Sequence, residues 1–187
     1  MASVRPTQIF DYDPCWLNEF EREAAVLAEA LAPWLVGGRA GIQHVGSTSV
    51  PGLAAKPIID MMAAVHDLEG AKGAIAVLES LSYTLTPHRP ATLHFDKQGD
   101  PLVWDHTHAL HLYPPGHPLE RERLTFRDAL RVDAELRARY ERLKRELARE
   151  HPGDREAYGR GKTEFCLVVM RAAGVEPENW RVRVAKE

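Results

Sequence analysis

The stretch HVGSTSVPGLAAKPIID, residues 44–60, contains the end of one predicted strand, the start of the next and the residues best suited to binding a ligand. Gly46 and Ser47 follow the end of a predicted strand, and successive backbone N–H groups in such a turn form an anion-binding concavity. Lys56 adds a point charge of the kind that binds phosphate. Asp60 lies in the next predicted strand, where its carboxylate could hold a hard cation that bridges to phosphate oxygens. The stretch therefore points to a phosphate-bearing small molecule.

A structural turn is the alternative interpretation of the same residues. Gly-Ser-Thr-Ser at positions 46–49 and Val-Pro-Gly at positions 50–52 are ordinary turn sequences. The chain contains neither GxxxxGK[ST] nor GxGxxG, so it lacks the two best-known phosphate-binding loops. We treat Thr48 and Ser49, together with Gly46 and Ser47, as candidate phosphate ligands.

The position of Asp60 within its strand favours a functional role. Residues 58–65 are apolar except for Asp60, which is typical of a central, buried strand. A buried ionisable group is costly unless it is paired or bound to a metal. Because strand side chains alternate with a period of two, Asp60 and Met62 are predicted to face the same way.

The whole stretch resembles the signature of the GrpB family. The resemblance extends to further positions along the chain: Tyr12-Asp13-Pro14 with Trp16 and Phe20, Leu110-His111-Leu112, Phe126-Arg127-Asp128, Tyr140 with Lys144, and Tyr158 with Lys162 and Phe165. It implies an α+β, nucleotidyltransferase-like fold: a mixed β-sheet with flanking helices and a helical C-terminal part. Some family members are fused to dephospho-CoA kinase, which implies a link to coenzyme A metabolism.

The chain departs from active nucleotidyltransferases at the metal-binding positions. Those enzymes carry Dx[DE] where this chain has Asp60 and Met62, and a thioether is unsuited to magnesium. The resemblance places His111 where a third acid would lie. A metal-dependent nucleotidyltransferase with Asp60 as a catalytic residue is therefore one hypothesis. A non-catalytic small-molecule or metal-binding protein with a decayed carboxylate site is the other.

Histidines provide a candidate site for a divalent metal other than magnesium. The chain has nine of them, and imidazole suits transition metals. Asp60 with His111 and His44 could form a mixed nitrogen and oxygen site. Strand alternation predicts His106 and His108 on one face and His111 on the other.

A cationic wall is predicted from the C-terminal helices. Tyr158 and Lys162 are four residues apart and share a helix face. With Arg127 and Lys144 they could bind phosphate. The alternative is surface charge pairing, including an ion pair between Arg127 and Asp128.

The two cysteines indicate a reducing compartment. Cys15 and Cys166 are far apart in sequence and form no CxxC motif, so we expect free thiols and a cytoplasmic protein. If the fold brought them together, they could bind a soft metal or metalloid. A net charge of −3 argues against general nucleic-acid or membrane binding, and no apolar run is long enough to span a bilayer.

A length of 187 residues favours one domain over residues 1–187. Its sheet-containing part covers residues 1–116, its helical part residues 117–175 and a tail residues 176–187, in which Trp180 could dock. The predicted strands are 9–13, 40–45, 58–65, 83–86, 91–96 and 107–113. The predicted helices are 16–35, 66–81, 119–131, 133–151 and 155–173.

Overall fold

The structure is a computed structural model that describes residues 6–86, 91–99 and 106–178. Its strands are β1 (Gln43–Val45), β2 (Ile59–Ala64), β3 (Tyr83–Leu85), β4 (Leu93–Gln98) and β5 (His106–Tyr113). Its α-helices are α1 (Cys15–Ala30), α2 (Leu68–Ala71), α3 (Ile75–Ser80), α4 (Pro118–Val132), α5 (Ala134–Glu150), α6 (Arg155–Gly161) and α7 (Thr163–Ala172).

The strands form one mixed sheet in the order β1-β2-β5-β4-β3. The pair β2 and β5 is parallel, while the β1–β2, β5–β4 and β4–β3 pairs are antiparallel. The predicted α+β class and mixed sheet are therefore confirmed. Because β2 lies between β1 and β5, the strand that carries Asp60 is flanked on both sides.

One face of the sheet packs against α1 and the short helices α2 and α3. Ile59, Met61 and Ala63 of β2 are buried there with Trp16 and Phe20 of α1. These β2 residues alternate along the strand, as expected for side chains that point to one face. The intervening residues of β2, which include Asp60 and Met62, therefore point to the opposite face of the sheet.

The opposite face is covered by the start of α4. Met62 is fully buried there with Val45, Tyr113 and Leu119. His117 caps α4, because its Nδ1 accepts a hydrogen bond of 3.1 Å from the N–H of Leu119. Asp60 lies on this face, two residues before Met62.

The C-terminal helices form a second core against the loop between β1 and β2. Val50 and Leu53 of that loop pack with Phe126 of α4, Tyr140 of α5 and Met170 of α7. The predicted helical part is thus joined to the stretch 44–60, and it supplies one wall beside Asp60.

Two predicted helices are interrupted. The helix predicted over residues 66–81 begins only at Leu68, because the Asp67 side chain caps it by accepting a hydrogen bond from the N–H of Gly70. A 3-10 turn at Lys72–Ala74 then separates α2 from α3. The 155–173 segment breaks at Lys162 into α6 and α7. Glycines weaken both segments as helices. At Gly161 an added Cβ would lie 2.9 Å from Cδ1 of Leu147. Close packing therefore favours glycine at this position, although glycine has a low helix propensity.

Two predicted strands are shorter than expected. Residues 9–13 contribute an isolated bridge between Phe10 and Ala55, and the 40–45 segment begins with a 3-10 turn, so that β1 starts at Gln43. Trp180 and the rest of the tail from residue 179 lie outside the described residues. Within the described part of the chain, no helix combines the length and apolar character needed to cross a membrane.

Candidate functional site

Gly46 and Asp60 are in direct contact. Val45, the last residue of β1, lies opposite Asp60 in the sheet, so the next residue passes over the carboxylate. Gly46 has a φ of 69°, and a Cβ at this position would lie 2.8 Å from Cγ of Asp60. The turn needs glycine both for its backbone conformation and for the space that Asp60 occupies.

Hydrogen bonds within the protein hold the turn in shape. Thr48 donates to the carbonyl of Ile58 at 3.0 Å, and Ser49 donates to the carbonyl of Gly46 at 2.6 Å. Arg131 donates to the carbonyl of Ser49 at 2.8 and 3.0 Å. Thr48 and Ser49 are buried. Their hydroxyls therefore support the turn.

Ser47 differs from the other two hydroxyl residues of the turn. Its side chain is partly exposed, and it makes no side-chain hydrogen bond within residues 6–86, 91–99 and 106–178. Of the three predicted hydroxyl ligands, Ser47 is the one whose hydroxyl has no bond to the described residues, and its role as a phosphate ligand stays a prediction.

His44 lies on the α1 face of the sheet, away from Asp60. Its ring stacks on Phe20 at a centroid distance of 4.6 Å, and its Nε2 lies 3.1 Å from Oγ1 of Thr48. Since the Thr48 hydroxyl already donates to a carbonyl, His44 donates from Nε2. Burial, with Arg131 and Arg127 nearby, lowers the pKa of His44 to about 3, so the ring is neutral at pH 7. The predicted pairing of His44 with Asp60 is not seen.

Asp60 is a desolvated acid with basic side chains around it. Burial raises its pKa, while Arg123, Lys56, His106 and Lys162 each act to lower it. These residues come from the loop before β2, from β5, from α4 and from the α6–α7 junction. Several separate segments therefore place basic groups around one acid.

The ring of Tyr158 brings two of these cations together. Nζ of Lys56 lies 5.6 Å from the ring centroid, and Nζ of Lys162 lies 4.4 Å from it. Tyr158 itself is buried. Cation–π attraction of this kind holds the ammonium groups near a fixed point. Tyr158 and Lys162 were predicted to share a helix face, and the structure adds Lys56 to this pair.

Lys144 and Arg127 are engaged inside the protein. Lys144 is 1% exposed and donates from Nζ to the carbonyl of Ala54. Arg127 donates from Nε to Asp128 at 2.7 Å and from Nη1 to the carbonyl of His44 at 3.0 Å. The alternative of an ion pair between Arg127 and Asp128 is therefore seen. Both residues attach the C-terminal helices to the stretch 44–60.

His111 lies on the same face as Asp60. It is opposite Met62 on one side and opposite His94 of β4 on the other. Its Nδ1 lies 3.1 Å from Nδ1 of His94, and Nε2 of His94 lies 3.0 Å from Oδ1 of Asp96. Of the predicted residues, the structure therefore brings together Gly46, Ser47, Lys56, Asp60, Tyr158 and Lys162, while His111 shares only the sheet face of Asp60.

Sequence reasoning missed Asp96, His94 and Arg123. Asp60 lies opposite Ala109, and Ala109 lies opposite Asp96, so the two acids flank one small residue across the sheet. Alternation in LHFDKQ at 93–98 places His94 and Asp96 on one face, but only the strand order shows that it is the Asp60 face.

His106 was predicted to face away from His111, and this is wrong. The pairing of β4 with β5 shifts register between Lys97 and Gln98. His106 consequently reaches the Asp60 side, with its Nε2 3.9 Å from Oδ1 of Asp96. A β-bulge changes which way a side chain points, and sequence alternation alone does not reveal it.

The donor groups do not fit a two-metal nucleotidyltransferase centre. The second acidic position holds Met62, which is fully buried in an apolar cluster. Among the described residues, no group of three or more His, Cys, Asp or Glu side chains is arranged to hold a metal ion. A metal bound by Asp60 and His111 stays a prediction.

The cysteines have separate surroundings. Cys15 is exposed at the start of α1, where a hydrogen bond and the charge of Asp13 raise its pKa. Cys166 is buried in the helical core, and burial raises its pKa to about 11. Both are free thiols in the structure, and no shared thiol site links them.

Comparison with protein families identifies the chain. The model described as "GrpB protein" matches residues 6–172. This protein belongs to the GrpB family. A UPF0157 protein of Pseudomonas aeruginosa is 40% identical to it over 170 residues, which are 89% of this chain and 67% of the relative. The resemblance stated from the sequence is confirmed.

Solved structures place the GrpB fold among known architectures. The crystal structure of the conserved protein GrpB from Enterococcus faecalis has a TM-score of 0.78 at 30% identity, and the match covers 89% of this chain and 96% of that one. Cid1 in complex with its short product ApU has a TM-score of 0.52 at 14% identity and covers 83% of this chain and 49% of that one. The fold is nucleotidyltransferase-like.

Some GrpB relatives are parts of longer proteins. A dephospho-CoA kinase of Mycolicibacterium paratuberculosis is 30% identical over 177 residues, which are 82% of this chain but 42% of that protein. A GrpB-like segment thus occurs within proteins that bear the name dephospho-CoA kinase.

Proposed function

We propose that this protein binds a phosphate-bearing small molecule, in the first instance a nucleotide, next to Asp60. The observation that carries the proposal is that basic side chains from three separate segments act on one desolvated acid. Lys56, Arg123 and Lys162 all act to lower the pKa of Asp60, although the chain as a whole has a net charge of −3. Basic side chains gathered in one place attract anions.

The geometry of the turn supports the same ligand class. We call Gly46, Ser47, Lys56, Asp60, Arg123 and Lys162 the Asp60 site. Gly46 lets the backbone approach closely, and Ser47 offers a partly exposed hydroxyl beside it. Lysine and arginine bind phosphate through charge-assisted hydrogen bonds, which are about twice as strong as neutral ones. A phosphate group beside Asp60 would receive donors from three separate segments of the chain.

A nucleotide is the first ligand to test because of the fold. The likeness to Cid1 concerns the fold alone, and it makes a nucleotide the natural candidate within this architecture. The relatives named dephospho-CoA kinase add dephospho-CoA and coenzyme A to the list. Both molecules carry an adenosine and a diphosphate, so they belong to the proposed class.

The proposal concerns binding and contains no metal-dependent transfer step. Met62 replaces the second acid of the nucleotidyltransferase pair, and its thioether is a poor ligand for magnesium. In this protein Lys56, Arg123 and Lys162 take over the role of neutralising phosphate charge. We accordingly expect binding to persist in the presence of EDTA.

Thermal unfolding with inorganic pyrophosphate, ATP and dephospho-CoA tests the proposal. A ligand at a hundredfold excess over its Kd stabilises the folded state by about 2.7 kcal/mol. For a chain of this size that corresponds to a rise in Tm of roughly 5–11 °C. Sodium chloride at matched ionic strength serves as the reference for non-specific salt effects.

Matched lysine variants locate the binding. Lys56→Met removes a cation of the Asp60 site, whereas Lys72→Met removes an exposed lysine whose partner is Glu69. We expect the ligand-induced rise in Tm to be lost in Lys56→Met and kept in Lys72→Met. An equal rise in both variants would place the ligand elsewhere. No rise with any probe in the wild type would refute the proposed function.

A further inference from the structure

Ala54, two residues before Lys56, is held by two oppositely charged side chains of α5. Its N–H donates to Oε2 of Glu141 at 3.3 Å, and its carbonyl accepts a hydrogen bond from Nζ of Lys144. Glu141 and Lys144 are three positions apart, so they lie on one face of α5. We call these two residues the α5 clamp. Ala54 is 1% exposed, so its backbone groups depend on partners within the protein.

Ala55, the next residue, is bonded on both sides to the segment before α1. Its N–H donates to the carbonyl of Phe10, and its own carbonyl accepts from the N–H of Phe10, both at 2.8 Å. Arg145 joins this segment to the clamp, because it donates from Nε to Glu141 at 3.0 Å and from Nη2 to Asp11. The backbone at positions 54 and 55 is therefore fixed by bonds to two distant elements of the chain.

The buried ammonium group of Lys144 is more than the carbonyl of Ala54 requires. Lys144 is 1% exposed, and its Nζ lies 4.9 Å from the ring centroid of Tyr140. Taking an ammonium group out of water is costly, and a neutral donor would satisfy the same carbonyl with less desolvation. The charge adds strength to the bond, because charge-assisted hydrogen bonds are about twice as strong as neutral ones. The clamp therefore holds the loop more firmly than packing alone requires.

We infer that the α5 clamp positions Lys56 for the phosphate-bearing ligand, with Glu141 and Lys144 as positioning residues that act through the loop. This inference rests on the proposed function, because it concerns how a cation of the Asp60 site is held. The clamp fixes the backbone that leads into Lys56, while the ring of Tyr158 attracts its Nζ at 5.6 Å. A lysine held at both ends loses less conformational freedom when a ligand binds.

The opposite charges of the clamp separate positioning from electrostatics. If the clamp acted through charge alone, loss of Lys144 would weaken the binding of an anion and loss of Glu141 would strengthen it. If the clamp positions Lys56, loss of either residue weakens binding. The test variants are therefore Lys144→Met and Glu141→Leu. Lys72→Met and Glu146→Leu, at exposed positions, are the matched controls.

NOEs between lysine and tyrosine side chains report the position of Lys56 in the ligand-free protein. The chain has six lysines, so their Hε signals are few enough to assign by substitution. Burial, with Lys162 nearby, lowers the pKa of Lys144 to about 7, so the spectra are recorded at pH 6, where its ammonium is mostly charged. We expect NOEs from the Tyr158 ring to both Lys56 and Lys162. Lys162 lies between α6 and α7, outside the clamped loop, and serves as the internal reference.

Both clamp variants should release Lys56 alone. We expect its NOE to the Tyr158 ring to be lost in each variant, while the NOE of Lys162 is kept. Amide exchange in the wild type needs no variant, and it should be slow at both Ala54 and Ala55, which donate to Glu141 and to the segment before α1. Fast exchange at either amide would overturn the inference.

Calorimetric titration with pyrophosphate measures the consequence for binding. We expect its Kd to rise roughly two- to tenfold in Lys144→Met and in Glu141→Leu, because binding must then order the side chain of Lys56. Lys72→Met and Glu146→Leu should leave the Kd unchanged. The backbone amide spectrum establishes that each variant is folded.

Three further results would overturn the inference. The first is an NOE between Lys56 and Tyr158 that persists in a folded clamp variant. The second is the loss of both lysine NOEs, which would mean that α6 itself has moved. The third is a Kd that does not rise in both clamp variants. If pyrophosphate does not bind the wild type, the proposed function fails, while the NOEs still decide whether the clamp positions Lys56.

Discussion

A Cβ atom on Gly46 would lie 2.8 Å from Cγ of Asp60, which is closer than real Cβ atoms come to other heavy atoms. The backbone of the turn therefore rests on the carboxylate. A glycine and an acid fourteen positions apart in sequence form one unit, so a change in either should alter the other.

The first prediction concerns Gly46→Ala. Its φ of 69° makes any side chain strained, and the contact with Asp60 adds a clash that only a shift of the strand or the turn can relieve. We expect a loss in the free energy of unfolding of roughly 2–4 kcal/mol, measured by urea denaturation.

Gly116→Ala is the matched control for Gly46→Ala. Gly116 has a φ of 78°, and an added Cβ there would meet nothing within 4 Å. Gly116→Ala should therefore lower the free energy of unfolding by only about 1 kcal/mol, because it adds backbone strain without a clash. If the two variants lost the same free energy, the contact between Gly46 and Asp60 would not be a constraint on the fold.

The second prediction separates a ligand-binding role of Asp60 from a structural one. Burial raises the pKa of Asp60, so the folded protein bears a cost for keeping this group ionised at pH 7. Asp60→Asn should accordingly leave the Tm of the ligand-free protein unchanged or raise it. It should also change the rise in Tm that pyrophosphate causes, because it removes the acid on which Lys56 and Arg123 act.

Asp67→Asn provides the reference for Asp60→Asn. Asp67 caps α2, where asparagine caps equally well, so the same chemical change should affect neither the Tm nor the response to pyrophosphate. A large fall in Tm for Asp60→Asn with an unchanged ligand response would show that Asp60 is a structural acid.

Much of the fold could be predicted from the stretch 44–60. The apolar run interrupted by Asp60 predicted the central strand, and the resemblance to the GrpB family predicted the sheet type. The strand order could not be predicted in the same way. The position of β5 next to β2 results from long-range pairing, which local sequence patterns do not encode.

The candidate site could be predicted only in the part that is local in sequence. Gly46, Ser47, Lys56 and Asp60 are close in the chain and are close in space. Asp96 and Arg123 join them through the β4–β5 pairing and the packing of α4. His106 was assigned to the wrong face because a register shift in β4 does not change the residue pattern.

The third prediction concerns the missing second acid. Met62 is fully buried among Val45, Tyr113 and Leu119, so Met62→Asp would place a carboxylate in an apolar cluster. We expect a loss of roughly 2–5 kcal/mol in the free energy of unfolding. Met62→Leu conserves volume and should lose less than about 1.5 kcal/mol.

Urea denaturation with and without magnesium chloride completes the test of Met62. If the surroundings of Met62 no longer form a metal site, magnesium should not restore the stability of Met62→Asp. Recovery to the wild-type value in magnesium would show that the remaining donors are still arranged for a metal, and it would revive the metal-dependent hypothesis.

The fourth prediction is a pH dependence that arises from Lys144. Burial, with the nearby charge of Lys162, lowers the pKa of this lysine to about 7 from its ordinary value of 10.5. Its ammonium donates to the carbonyl of Ala54, so the charged form has a partner but little water. In the unfolded chain the lysine is exposed and keeps its ordinary pKa.

The sign of the effect follows from the proton count. Below pH 7 the lysine is charged in both states, and the folded state bears the full cost of the buried charge. Above pH 7 the folded protein loses the proton while the unfolded chain keeps it up to about pH 10.5. Unfolding then takes up a proton, so the free energy of unfolding rises with pH by up to about 1.4 kcal/mol per unit.

Lys144→Met isolates this contribution. Methionine fills a similar volume without a charge, so the variant lacks the proton uptake. We expect the difference in free energy of unfolding, wild type minus Lys144→Met, to increase between about pH 6 and about pH 9. Lys72→Met, a change at an exposed lysine paired with Glu69, should give a difference that does not vary with pH. A constant difference for Lys144→Met would mean that the buried lysine remains protonated throughout. The bond to Ala54 would then outweigh burial in setting its charge.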